Sequence, residues 1–97
     1  MIISFGDRAT RDLYHGRESG RARQFPNEIL RSATRKLDII HAAHRLGDLR
    51  VPPGNRLHKL TGNLDGYYSI RVNDQWRIIF RWRQSDCSDV SLTDYHD

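Results

Sequence analysis

Tyr67-Tyr68-Ser69-Ile70-Arg71-Val72-Asn73-Asp74-Gln75-Trp76-Arg77-Ile78-Ile79-Phe80-Arg81-Trp82-Arg83 is the stretch from which the rest of the chain can be placed. Tyr68, Ile70 and Val72 alternate with Tyr67, Ser69 and Arg71. After the break, Trp76, Ile78, Phe80 and Trp82 alternate with Arg77, Ile79, Arg81 and Arg83. A period of two marks strands with one buried face. Residues opposite each other in an antiparallel pair share a face, so the two apolar sets must oppose. Pairing Val72 with Trp76 does this and leaves Asn73-Asp74-Gln75 as a three-residue loop. A two-residue loop at Asn73-Asp74 would set Arg71 against Trp76 and mix both faces. The pattern therefore predicts the three-residue loop, with Arg71 opposite Arg77 and Arg81 and Arg83 further along the same face.

Like charges directly opposite each other in a sheet cost roughly 0.2–1 kcal/mol. An Arg row in that arrangement suits a phosphate chain lying across it. The alternatives are neutralisation by Asp65, Asp74 or an acidic partner, or side chains splayed into solvent.

Outward from the hairpin, 56–60 and 90–95 also read as strands, set off by Thr61-Gly62-Asn63 and Ser85-Asp86. Upstream, Ile29, Leu30, Ala33, Leu37 and Ile40 fall on one face at helical spacing. Asn27 is positioned to cap that helix, and Glu28 suits its first turn. A helix over 27–43 would be about 26 Å long, closed by Leu46-Gly47-Asp48 and unable to continue into Pro52-Pro53-Gly54. Ile2-Ile3-Ser4-Phe5 reads as a short strand, and Asp7 can cap a short helix ending before Gly16. The stretch from Gly16 to Arg23 has no periodicity and reads as a mobile surface loop. The expected fold is α+β in the order β-α-α-β-β-β-β: two N-terminal helices packed on a mostly antiparallel twisted sheet, in one domain over 1–97.

Composition narrows the class. The 97 residues include 16 Lys and Arg against 12 Asp and Glu, a formal net charge of +4. Fourteen of the basic residues are Arg, and the two lysines are Lys36 and Lys59. No apolar run approaches the roughly 20 residues of a membrane span, and the first residues lack the pattern of a signal peptide. The single cysteine, Cys87, can form neither an internal disulfide nor a Cys-based zinc set. A small cytosolic domain with an anionic partner, nucleic acid foremost, is the expectation.

Two histidines could carry chemistry on that partner. An unperturbed His titrates near pH 6.5, so His58 and His96 could share general base and general acid roles. One would take the proton of a ribose 2′-OH and the other would protonate the departing 5′-oxygen, while an Arg stabilises the phosphorane. The competing reading is two ordinary surface histidines. His41 and His44 sit three apart on the long helix, but a satisfied role near its C-terminus fits better than a metal site, with His44 on the apolar stripe. His15 reads as solvent-facing and Cys87 as a bystander, while Tyr68, Trp76 and Phe80 read as core.

Several segments together resemble a known family: Pro52-Pro53-Gly54-Asn55-Arg56-Leu57, Leu60 with Gly62 and Gly66-Tyr67, Ser69 through Ile78, and Asp94-Tyr95-His96, with Ile2-Ile3-Ser4-Phe5 also fitting. The chain is similar to HigB-type toxins of the RelE/ParE superfamily, also called plasmid maintenance killer proteins. The resemblance implies an mRNA endoribonuclease that cuts mRNA in the ribosomal A site, in the bacterial cytoplasm, without a cofactor or metal. It places His58 and His96 in proton transfer, Asp94 in orientation or proton transfer, Tyr95 in base stacking, and Arg77 on the transition-state charge. Arg56, Lys59, Arg71, Arg81 and Arg83 would bind RNA. The implied partners are the ribosome, mRNA and a helix-turn-helix, HigA-like antitoxin, through which operator DNA is bound. Many relatives carry several lysines around the site, whereas here Lys59 is the only one expected there. Because Arg cannot act as a base, more of the proton transfer falls to the histidines. Two other activities remain compatible with the superfamily: poisoning of DNA gyrase, and RNA or DNA binding without cleavage, such as interference with ribosome assembly.

Overall fold

Asp7 starts the first helix: its carboxylate accepts the Thr10 N–H at 2.7 Å, capping α1 (Arg8–Tyr14). The second helix, α2 (Asn27–Ala42), buries Ile29, Ala33, Leu37 and Ile40, the stripe expected from their spacing. Full burial of an aliphatic side chain of this size contributes about 1.5–3 kcal/mol. Asn27 is the first helical residue rather than the cap, and Pro26 occupies the cap position. After Ala42 the chain turns because the Asp48 carboxylate accepts the N–H groups of His44 and Arg45 at 3.1 and 3.0 Å. These bonds hold its carboxyl below the usual range. His44 is therefore exposed beyond the helix end and does not join the apolar stripe.

The computed structural model describes residues 1–94. Four strands follow the helices, β1 (His58–Lys59), β2 (Tyr67–Arg71), β3 (Arg77–Arg83) and β4 (Asp86–Thr93), in one antiparallel sheet of order β1-β2-β3-β4. The β2–β3 register pairs Tyr68 with Phe80, Ile70 with Ile78, and Arg71 with Arg77. Val72 N–H donates to the Trp76 carbonyl at 2.9 Å, which leaves Asn73, Asp74 and Gln75 as the loop. Asn73 Oδ1 fixes that loop by accepting the N–H groups of Gln75 and Trp76 at 2.8 and 2.7 Å.

The last strand starts earlier than its sequence pattern indicated, at Asp86 rather than near residue 90. The cause is a bulge. Ile79 pairs with Ser91 but Arg81 with Ser88, so Asp89 and Val90 together face Phe80. Asp89 takes the left-handed conformation, φ 51°, at this irregularity. Cys87 and Val90 both point into the core, three residues apart, which breaks the period of two.

The expected first strand does not form, so the order is two helices followed by four strands; residues 2–5 make only two isolated parallel bridges, Ile2 to Cys87 and Phe5 to Val90, along the free edge of β4. Gly6 lies so close to β4 that a Cβ there would fall 2.3 Å from Ser91 Oγ. Beyond Gly6 the edge is continued by α1, where the buried Thr10 Oγ1 accepts the Leu92 N–H at 2.9 Å. The helices cover one sheet face, and the core between them contains Phe25, Leu37, Ile40, Leu49, Ile70, Ile78, Phe80 and Val90.

Residues 16–23, read as a mobile loop, are tied to α1. Buried Asp12 accepts the Ser19 hydroxyl at 2.8 Å and lies 3.6 Å from Arg21 Nη1, while its carbonyl takes the Arg17 N–H at 2.8 Å. Ser19's hydrogen bond, with Arg11, Arg21 and Arg17 around it, holds the Asp12 carboxyl below its ordinary value despite burial.

Candidate nucleic-acid interface

Strand parity sends Ser69, Arg71, Arg77, Ile79, Arg81 and Arg83 to the sheet face away from the helices. His58 joins them because it pairs with Ser69. Arg71 and Arg77 are direct cross-strand partners, and Thr93 stands on the other side of Arg77. Asp94 follows Thr93 immediately. The proton-transfer candidate on β1 and the acidic one after β4 are thus three interstrand steps apart, about 14 Å at ~4.8 Å per step. The Arg71–Arg77 row lies between them. His58 and Asp94 therefore do not touch. Tyr95 and His96 lie outside the described residues.

The arginines of this face are in different states. The Arg71 guanidinium is paired with Asp74 in the hairpin loop, and the Asp74 carboxyl is held low by that bond and by Arg71's charge, with Arg56 adding to it. One of the alternatives left open by the sequence, neutralisation by Asp74, therefore holds for Arg71. Arg81 stacks on the Tyr67 ring, 4.4 Å from its centroid, and lies 3.4 Å from Asp89. Gly66, at φ 91°, leaves it room: a Cβ there would sit 3.0 Å from Arg81 Nη1. Arg83 is exposed opposite Asp86 at the end of β3. Arg56, also exposed, takes a left-handed conformation, φ 47°, just before β1.

Arg77 differs from all of these. Its Nη1 is the one buried side-chain nitrogen or oxygen among the described residues without a hydrogen-bond partner. A buried guanidinium N–H left unpaired costs at least about 1–3 kcal/mol. An unpaired buried donor of this kind calls for a partner beyond those among the described residues.

Lys59 does not stand on this face. Lys59 pairs with Tyr68, whose ring stacks on Phe80, so it points to the helix side near Leu46 and Arg50. It does not share a face with His58 and the Arg row. Lys36 donates to Asn55 Oδ1, and burial, then Arg35 and Arg71, lower the pKa of its amine. Buried Asn55 also donates to the carbonyls of Leu49 and Val51 at 3.1 and 3.3 Å, which braces the Pro52-Pro53-Gly54 segment leading to His58.

The remaining candidates have structural roles. His41 Nδ1 accepts the Ile2 N–H at 3.1 Å, the satisfied role expected near the helix end. His15 is exposed at the end of α1. Cys87 is fully buried, and desolvation pushes its thiol up to about 11, so it is not a nucleophile at neutral pH. Sequence reading missed Gln75, whose Nε2 donates to Asp94 Oδ2 at 3.0 Å. Its only sequence signal was membership of the three-residue loop.

Comparison with known proteins converges on one family. A family model described as "RelE-like toxin of type II toxin-antitoxin system HigB" matches residues 3–96. Toxin HigB-1 of Vibrio cholerae serotype O1 (strain ATCC 39315 / El Tor Inaba N16961) is 42% identical over 97 residues, covering 100% of this chain and 96% of that protein. A Proteus vulgaris protein named Endoribonuclease HigB is 31% identical over 96 residues, covering 99% of this chain and 100% of that protein. Among solved structures, the YoeB dimer from Staphylococcus aureus is similar at a TM-score of 0.61 and 24% identity, covering 99% of this chain and 95% of that one. A chain of a YoeB–YefM complex from the same species reaches 0.60 at 20% identity, covering 100% and 97%. At these identities the two structures speak for the fold alone.

Proposed function

The chain belongs to the HigB family of RelE-like toxins of type II toxin–antitoxin systems, and from that premise we propose that it is a ribosome-dependent mRNA endoribonuclease. The observation that carries the reading is the partnerless, buried Arg77 Nη1, in a face that also presents His58, Arg71 and Thr93, with Asp94 next in the chain. The name of the Proteus vulgaris relative, an endoribonuclease, supports the reaction class.

The chemistry proceeds without metal or cofactor. A ribose 2′-OH attacks the adjacent phosphorus while one histidine removes its proton. The bond to the 5′-oxygen breaks as the other histidine supplies a proton, leaving a 2′,3′-cyclic phosphate and a 5′-hydroxyl. His58 and His96 are the two histidines, and Asp94 orients one of them or moves the proton itself. Arg77 donates to the phosphorane oxygens, on which negative charge grows in the transition state. Tyr95 stacks on a base. Arg56, Arg71, Arg81 and Arg83 hold the backbone, with the Arg71–Asp74 and Arg81–Asp89 pairs opening to phosphate. Lys59, on the other face, would reach RNA only at the sheet edge.

The protein acts in the bacterial cytoplasm, where ribosomes and mRNA are. It is restrained by a cognate helix-turn-helix antitoxin, through which it contacts operator DNA. The similarity in fold to a chain of a YoeB–YefM complex supports the antitoxin assignment. The deciding experiment is mapping of mRNA 5′ ends after brief induction. New ends within translated codons, lost with Arg77→Ala or His96→Ala, are the expected result. DNA damage without new mRNA ends would point to gyrase, and growth arrest with neither would point to binding without cleavage.

A further inference from the structure

We propose that Gln75 is a positioning residue for the cleavage reaction, holding Asp94 through the hydrogen bond from its Nε2 to Oδ2; this rests on the functional reading above. Strand pairing ends at Thr93, opposite Arg77, and Asp94 follows it directly. The bond from Gln75 reaches the Asp94 carboxylate from 19 residues away in sequence. It is effective because its own base is fixed. Asn73 Oδ1 accepts the N–H groups of Gln75 and Trp76, and Val72 N–H closes the loop on the Trp76 carbonyl. The three loop residues thus divide the work: Asn73 sets the loop conformation, Asp74 engages Arg71, and Gln75 engages Asp94. An amide suits the last role. It donates one hydrogen bond without neutralising the carboxylate, and it occupies only one of about four lone-pair sites. A Lys or Arg there would form an ion pair and draw the charge away from the reacting groups.

The test uses the full-length toxin on mRNA-programmed ribosomes, with cleavage rate at saturation, KM and melting temperature measured for Gln75→Ala, Gln75→Glu, Asp94→Ala and the Gln75→Ala/Asp94→Ala double variant. Gln75→Ala should lower the saturated rate by about three- to ten-fold, with KM and melting temperature unchanged. Gln75→Glu should lose more, since it sets a carboxylate against a carboxylate. The double variant should be no slower than Asp94→Ala alone, because a residue acting through Asp94 has nothing left to position. A wild-type rate for Gln75→Ala or for Asp94→Ala, a loss confined to KM, or losses that multiply in the double variant would each overturn the positioning role. If the wild type itself cuts no mRNA, the cleavage reading falls and this one with it; if the wild type cuts and Gln75→Ala equals it, only the role of Gln75 falls.

Discussion

Arg77→Met is the substitution on which structure and chemistry give opposite signs. Methionine keeps an unbranched, apolar stem of similar reach in β3 while removing the guanidinium. With it goes a buried Nη1 that has no partner among the described residues, whose desolvation costs about 1–3 kcal/mol. Arg71 directly opposite is already paired with Asp74, so relief of its repulsion adds little. Some packing and solvation of the remaining guanidinium nitrogens are lost, so the net expectation is a gain of about 1–2 kcal/mol. At roughly 4–8 °C per kcal/mol for a domain of this size, the melting temperature should rise by about 4–16 °C. Cleavage should fall by about 10²–10³-fold, the usual cost of losing one donor to a transition-state oxyanion. Thermal unfolding by circular dichroism and cleavage on programmed ribosomes give the two readouts on the same preparation. A lower melting temperature would mean that the guanidinium holds the sheet together rather than awaiting a ligand. Retained cleavage would remove Arg77 from the chemistry.

Further expectations concern the histidines, the α1 contacts and the surface pairs. His58→Gln and His96→Gln should each slow cleavage by about 10²–10⁴-fold and leave melting temperature unchanged, checked by single-turnover cleavage beside thermal unfolding. Thr10→Val removes the acceptor of the Leu92 N–H and leaves that donor buried, so it should cost about 1–3 kcal/mol, measurable by urea unfolding. Asp12 has a folded-state pKa below its unfolded value; its stabilisation is present above the unfolded pKa and is lost as pH falls through the folded one. The difference in melting temperature between wild type and Asp12→Asn should therefore shrink as pH drops below about 4. Arg81→Ala breaks a half-exposed pair with Asp89 and a stack on Tyr67, and should cost no more than about 1 kcal/mol.

Periodicity made the helices, the hairpin register and the Arg face legible, because burial on one side imposes a repeat that sequence must obey. The same parity rule separates Lys59 from His58, since neighbours in a strand face opposite ways. The onset of β4 was illegible because the bulge at Asp89 and Val90 resets the repeat midway. The length of the apolar stripe was overestimated at His44 because a side-chain carboxylate, Asp48, ends the helix where spacing alone would continue it. Contacts such as Asp12 to Ser19, Lys36 to Asn55 and Gln75 to Asp94 join single polar atoms. They impose no repeat, and only coordinates reveal them. In the site, His58 and Arg77 follow from strand parity, whereas the distinction between an occupied Arg71 and an orphaned Arg77 does not.

The position of β4 bears on when the open face is complete. This strand lies between β3 and residues 2–5, and it holds Met1 through Cys87 and Ser4 through Val90 across more than eighty residues of chain. A polypeptide still being synthesised, with everything up to Ser85 already emitted, has two unjoined sheet edges and lacks Thr93 and Asp94. Non-local closure of this kind is also slow relative to helix formation. On the proposed reading, the open face is therefore complete only once residues 86–94 have left the ribosome and closed between β3 and residues 2–5.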